Sequence, residues 1–87
     1  DQLIKTRPYD PDIWYQVAEI RGQTKNIIDL HQARAEYFAL VGDYPQAIEQ
    51  LSLAKRRAAS NFPLASRIDA RQKELITEQD IIQSMMR

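Results

Sequence analysis

Between Ile27 and Val41 the chain carries two apolar stripes at helical spacing instead of one. Ile28, Ala35, Phe38 and Ala39 fall on the first; Leu30, Ala33, Tyr37 and Leu40 fall on the second. Surface helices of globular proteins bury one stripe and leave the opposite face polar, so a helix with two apolar faces is sandwiched between neighbours. This chain therefore needs a helical partner on each side of residues 27–41, and its punctuation places one before and one after.

Four prolines and two glycines divide the sequence. Residues 1–7 read as the end of a preceding helix, closed by Arg7-Pro8, because a proline pushes the residue before it out of the helical region. Asp10-Pro11 opens a helix over 11–24, with Asp10 as N-cap and Pro11 at the first helical position. Ile13, Trp14, Val17, Ala18 and Ile20 give it apolar positions three and four apart. The sandwiched helix spans 27–41 and stops at Gly42, where a left-handed residue is needed. Asp43 caps a third helix over 44–59, with Tyr44, Ala47, Ile48, Leu51, Ala54 and Ala58 as its stripe. Ser60-Asn61-Phe62-Pro63 breaks the chain again. A long fourth helix over 63–85 carries Leu64, Ile68, Leu75, Ile82 and Met86 on one face. Arg67, Arg71, Lys73, Glu74, Glu78 and Asp80 lie on its outer face. No stretch alternates with period two, so no strand is predicted. The expected fold is all-α, one domain of antiparallel neighbouring helices, with Trp14, Phe38, Leu51, Ala35 and Ala47 buried.

Composition narrows the function classes. The 87 residues carry 12 Lys+Arg against 12 Asp+Glu, without the basic surplus that non-specific nucleic-acid binding requires. There is no cysteine, hence no disulfide frame, Cys–zinc site or thiol nucleophile. The longest apolar run, Tyr37 to Val41, is five residues, whereas a membrane-spanning helix needs about 20. The start at Asp1, without a leader pattern, reads as that of a piece excised from a longer protein.

Gly42-Asp43-Tyr44-Pro45-Gln46-Ala47 resembles the tetratricopeptide (TPR) repeat: glycine, helix cap, aromatic, two variable residues, alanine. Ala35, Phe38, Leu51 and Ala54 fit that repeat in register, small residues allowing close approach and large ones filling the space between helices. Leu3-Ile4, Pro8, Pro11 and Trp14 match the junction of a preceding repeat. Trp14 to His31, however, is 17 residues where a full repeat is about 34, so residues 27–41 act as second helix of one hairpin and first helix of the next. The implied architecture is a TPR-like α-α superhelix with a long C-terminal helix.

A narrower resemblance covers the whole chain. Arg34-Ala35-Glu36, Ala39-Leu40, Gly42, Gln46-Ala47-Ile48, Ile68-Asp69-Ala70-Arg71 and Leu75 resemble the C-terminal TPR region of the BepA (YfgC) family. These are periplasmic zinc metalloproteases of outer-membrane protein assembly and quality control in Gram-negative bacteria. The resemblance implies a periplasmic protein-interaction module of a protease and chaperone. Implied partners are the outer-membrane assembly machinery, its clients, or the parent's own protease domain. Zinc is implied only for that absent catalytic domain, since the single histidine, in His31-Gln32-Ala33-Arg34-Ala35, lacks the other ligands a zinc site needs. The alternative is a structural or capping segment of an unrelated TPR solenoid.

Catalysis finds no support. Glu74, Glu78 and Asp80 occupy an outward face, whereas catalytic carboxylates are tuned by burial. No catalytic, metal or cofactor residue is expected in this chain. TPR domains bind peptides along the inner surface of their first helices, which the resemblance places at Tyr15, Glu19, Gln32 and Glu36. Two glutamates there repel a carboxylate terminus, so an extended or basic segment is the expected occupant. A second expected surface is a basic patch of Lys55, Arg56, Arg67 and Arg71.

Overall fold

A computed structural model describes residues 9–23 and 26–86. Four helices account for nearly all of them: α1 (Pro11–Gln23), α2 (Ile27–Leu40), α3 (Tyr44–Arg57) and α4 (Phe62–Met85). Among the described residues there is no strand. The expected helix end at residues 1–7 lies outside the described residues.

Each helix starts on a short polar side chain that accepts an N–H the helix itself cannot satisfy. Asp10 Oδ1 accepts from the backbone N–H of Asp12 at 2.9 Å, and Asn26 Oδ1 from Asp29 at 3.3 Å. Asp43 Oδ1 accepts from Gln46 at 3.3 Å, and Asn61 Oδ1 from Leu64 at 3.2 Å. Pro11, Pro45 and Pro63 fall in first turns, where a missing N–H costs nothing. Gly42 has φ of 86°, the left-handed conformation that ends α2 and turns the chain into α3.

Consecutive helices pack on one another, α1 on α2, α2 on α3 and α3 on α4. The two stripes of α2 lead to two separate cores. Ala35 belongs to a cluster with Ala47, Leu51, Ala54, Ala58, Ile68 and Leu75, against which Ile28, Phe38 and Ala39 pack. Leu30 and Ala33 belong to the other, with Ile13, Val17 and Ala18 of α1. The alanines of the first cluster are wholly buried, as close helix approach requires.

Several expected core positions are more open than the pattern suggests. Trp14 and Phe38 are half-buried, not buried. The Trp14 indole borders an open groove, and Phe38 meets the edge of Tyr37 at 5.3 Å between ring centroids. Ile20 is 46% exposed and Met86 81%. For Met86 the reason is length. At 1.5 Å per residue α4 is about 36 Å long and α3 about 21 Å. The Gly42–Pro45 corner reaches only as far as Gln79, Ile82 and Gln83, so the final residues of α4 extend past it. Conversely, Gln72 is buried among apolar side chains and satisfied throughout. Its Nε2 donates to the Ser52 hydroxyl at 2.7 Å and the Ile48 carbonyl at 3.1 Å; its Oε1 accepts from Lys55 Nζ at 2.9 Å.

Candidate functional site

With its two apolar stripes covered, α2 retains two polar sides. Residues 29, 32 and 36 recur at helical spacing on one; His31 and Arg34 lie across the helix from them, at about 100° per residue. The first side opens into a groove of about 310 Å³ that takes residues from all four helices. Trp14 and Val17 come from α1, Asp29, Gln32, Ala33 and Glu36 from α2, Leu51 from α3, and Arg71 from α4. One wall is thus apolar and the rim polar, at the small end of the volumes typical of binding pockets.

The polar wall is organised by one ion pair. Arg71 donates from Nε to Glu36 Oε2 and from Nη2 to Glu36 Oε1, both at 2.8 Å, in a bidentate fork. The hydrogen bonds it donates to Glu36 raise the pKa of the Arg71 guanidinium above its ordinary value, outweighing the opposing effect of burial. Glu74 adds a longer contact at 3.7 Å. Among the described residues lining the groove, Asp29 and Glu36 stand against one cation, Arg71, so the rim is acidic. Asp29 is itself tied to its own helix start by Asn26 Nδ2, at 2.8 Å.

The sequence expectations divide here. Gln32 and Glu36 line the groove together. Tyr15 and Glu19 do not line it: both are exposed on α1, and the Tyr15 ring stands edge-on to Tyr37 at 5.6 Å. Tyr15 sits one residue, about 100°, around α1 from Trp14, and it is Trp14 that supplies the groove's aromatic wall. The four expected basic residues form no single patch. Lys55 Nζ donates to Asp69 and to Gln72 at 2.9 Å each. Arg71 is turned inward onto Glu36, not outward with the polar face of α4. Among the described residues Arg56 has one ion-pair contact, with Glu49 at 3.8 Å, and Arg67 is exposed on α4. The physical cause is carboxylate placement: Glu36 and Asp69 each draw one cation into the packed region. The signal for the Glu36–Arg71 pair lay in opposite charges on two helices, 35 residues apart, which no local pattern reports.

His31 Nδ1 lies 2.7 Å from Gln50 Oε1. Among the described residues no three metal-ligating side chains gather, and Glu74, Glu78 and Asp80 are solvent-exposed. No helix of the described residues is long and apolar enough to cross a membrane. Comparison with family models, curated proteins and solved structures gives no match to this chain.

Proposed function

We propose that this chain is a protein-interaction module that takes an extended, basic segment of a partner into the groove that α2 shares with α1, α3 and α4. The observation that carries the reading is the pairing, in one groove, of an apolar wall of Trp14, Val17, Ala33 and Leu51 with an acidic rim. Among the described lining residues Asp29 and Glu36 outnumber Arg71, so a lysine or arginine side chain gains favourable charge while an apolar neighbour packs on the indole.

At a finer level, the module is read as the TPR-like C-terminal region of a periplasmic zinc metalloprotease and chaperone of the BepA type. That assignment is supported by the motif runs around Gly42 and Ile68 and by the stacking of consecutive helices. Its partner would then be outer-membrane assembly machinery, a client, or the parent's protease domain. One observation favours the alternative of a structural solenoid segment: the bidentate Glu36–Arg71 pair binds α2 to α4 across the groove and serves packing by itself.

Trp14 is the only tryptophan and reports directly on the groove. A short peptide alternating arginine and leucine should change its fluorescence saturably, and the same peptide with glutamate in place of arginine should not. Equal responses to both peptides, or silence with both, would reject the acidic-groove reading in favour of the structural segment. In the full-length parent, a photo-crosslinker at Gln32 should capture a partner that one at Ser66 does not.

A further inference from the structure

We propose that the cleft between α2 and α3 bordered by His31, Arg56 and Arg57 binds a phosphate-type oxyanion. This cleft, about 400 Å³ and open to solvent, lies on the side of α2 away from the acidic groove, and Leu53 supplies its apolar floor. Among the described residues no carboxylate lines it.

The chain treats its cations unequally. Lys55 and Arg71 are held by carboxylates at 2.9 and 2.8 Å. Arg56 meets Glu49 only at 3.8 Å, beyond hydrogen-bond distance, with both side chains well exposed at 69% and 60%. Arg57, also exposed, has no ion-pair partner among the described residues. Two guanidinium groups are thus available at one cleft, and together they balance a phosphate carrying roughly −1.5 to −2 charges at neutral pH. Their planar forks suit phosphate oxygens better than a lysine ammonium does.

His31 completes the set. The Gln50 amide oxygen can only accept, so His31 Nδ1 is the donor in this short contact. That bond anchors the imidazole at the cleft edge, where Nε2 donates to an oxyanion only when it carries a proton as well. A competing account is local: cations in the last turn of α3 also offset the partial negative charge of a helix C-terminus. It predicts no ligand.

The test titrates the 87-residue chain with inorganic phosphate at constant ionic strength, following the His31 ring and the arginine Nε–H signals by NMR. Saturable shifts at His31, Arg56 and Arg57 are expected. Replacing both arginines (Arg56→Gln with Arg57→Gln) should weaken the apparent affinity at least about tenfold, the loss of charge-assisted hydrogen bonds. Arg67→Gln, which removes a cation elsewhere on the surface, should change it less than twofold. Chloride reproducing the shifts, a non-saturating response, or Arg67→Gln matching the double variant would overturn the site. Far-UV circular dichroism of each variant guards against unfolding. The source of the phosphate is read separately. Co-sedimentation with phosphatidylglycerol vesicles but not phosphatidylcholine vesicles, lost in the double variant, identifies a lipid headgroup. Phosphate saturation without vesicle binding identifies a soluble phosphate ligand.

Discussion

Glu36 and Arg71 give the sharpest stability test, because their surroundings predict an asymmetry as well as a size. Their side chains are 22% and 34% exposed, between a surface pair and a buried one. Surface pairs couple by about 0–1 kcal/mol and breaking a buried pair costs about 3–5 kcal/mol, so a coupling of about 1–2 kcal/mol is expected here. The single variants should differ. Glu36→Gln leaves Arg71 beside Glu74, with the new amide still able to accept one hydrogen bond, and should cost about 1 kcal/mol. Arg71→Met keeps the aliphatic packing but leaves the Glu36 carboxylate half-buried with no cation against it, and should cost about 2 kcal/mol. Urea unfolding of the parent chain, both singles and the double variant closes the cycle. Thermal midpoints should move in step, by about 4–8 °C per kcal/mol for a domain of this size. A coupling below about 0.3 kcal/mol, which is within ordinary additivity, would show the pair to be solvent-separated. Glu36→Gln costing more than Arg71→Met would refute the argument from uncompensated charge.

Gly42→Ala should destabilise by about 1–2 kcal/mol through backbone conformation alone, since the added methyl meets no atom within 4 Å and only the φ of 86° resists it; an unchanged urea midpoint would refute this. Leu75→Ala should cost about 2–5 kcal/mol, and Met86→Ala less than about 0.5 kcal/mol, because the first is wholly buried and the second 81% exposed; equal costs would mean that α4 is covered to its end. Hydrogen bonds from Lys55 and Lys73 hold the Asp69 carboxyl below its ordinary value of 3.8. A carboxyl depressed in the folded state stabilises the fold above the unfolded pKa and loses that contribution as pH falls through the folded one. Asp69→Asn should therefore be less stable than the parent at neutral pH and converge with it in acid, and a gap that persists at about pH 2 would refute the linkage.

What could be read from the sequence, and what could not, follows the range of each interaction. Caps and breaks are local, so Asp10, Gly42 and Asp43 were legible, as were the four helices to within two residues. The two stripes of α2 predicted two cores because helical periodicity reports burial directly. Trp14 and Phe38 misled for the opposite reason: a large apolar residue at a core spacing need not have a neighbour on every side, and helices packed one on the next leave edges open. Gln72 was invisible as a core residue because its polarity breaks the pattern. Yet it stands in register between Ile68 and Leu75, and its burial follows once Ser52, Lys55 and the Ile48 carbonyl supply its partners.

The candidate sites were legible only in part, because charge partners on different helices carry no sequence period. Glu36 was assigned to one surface and Arg71 to another, and the fold joins them into one wall. That joining changes what each surface can do. With Arg71 paired to Glu36 at the groove, Asp29 gives that side of α2 an acid surplus among the described residues. With Lys55 also taken by Asp69, Arg56 and Arg57 are the cations of α3 left without a close carboxylate among the described residues, on the side of His31. A chain with formal net charge zero is thereby divided into an acidic groove and a basic cleft, separated by the width of one helix. Net neutrality excludes little about binding when the packing itself sorts the charges. The apolar stripes of α2 consume two of its four sides, and the two left over face opposite ways with opposite sign.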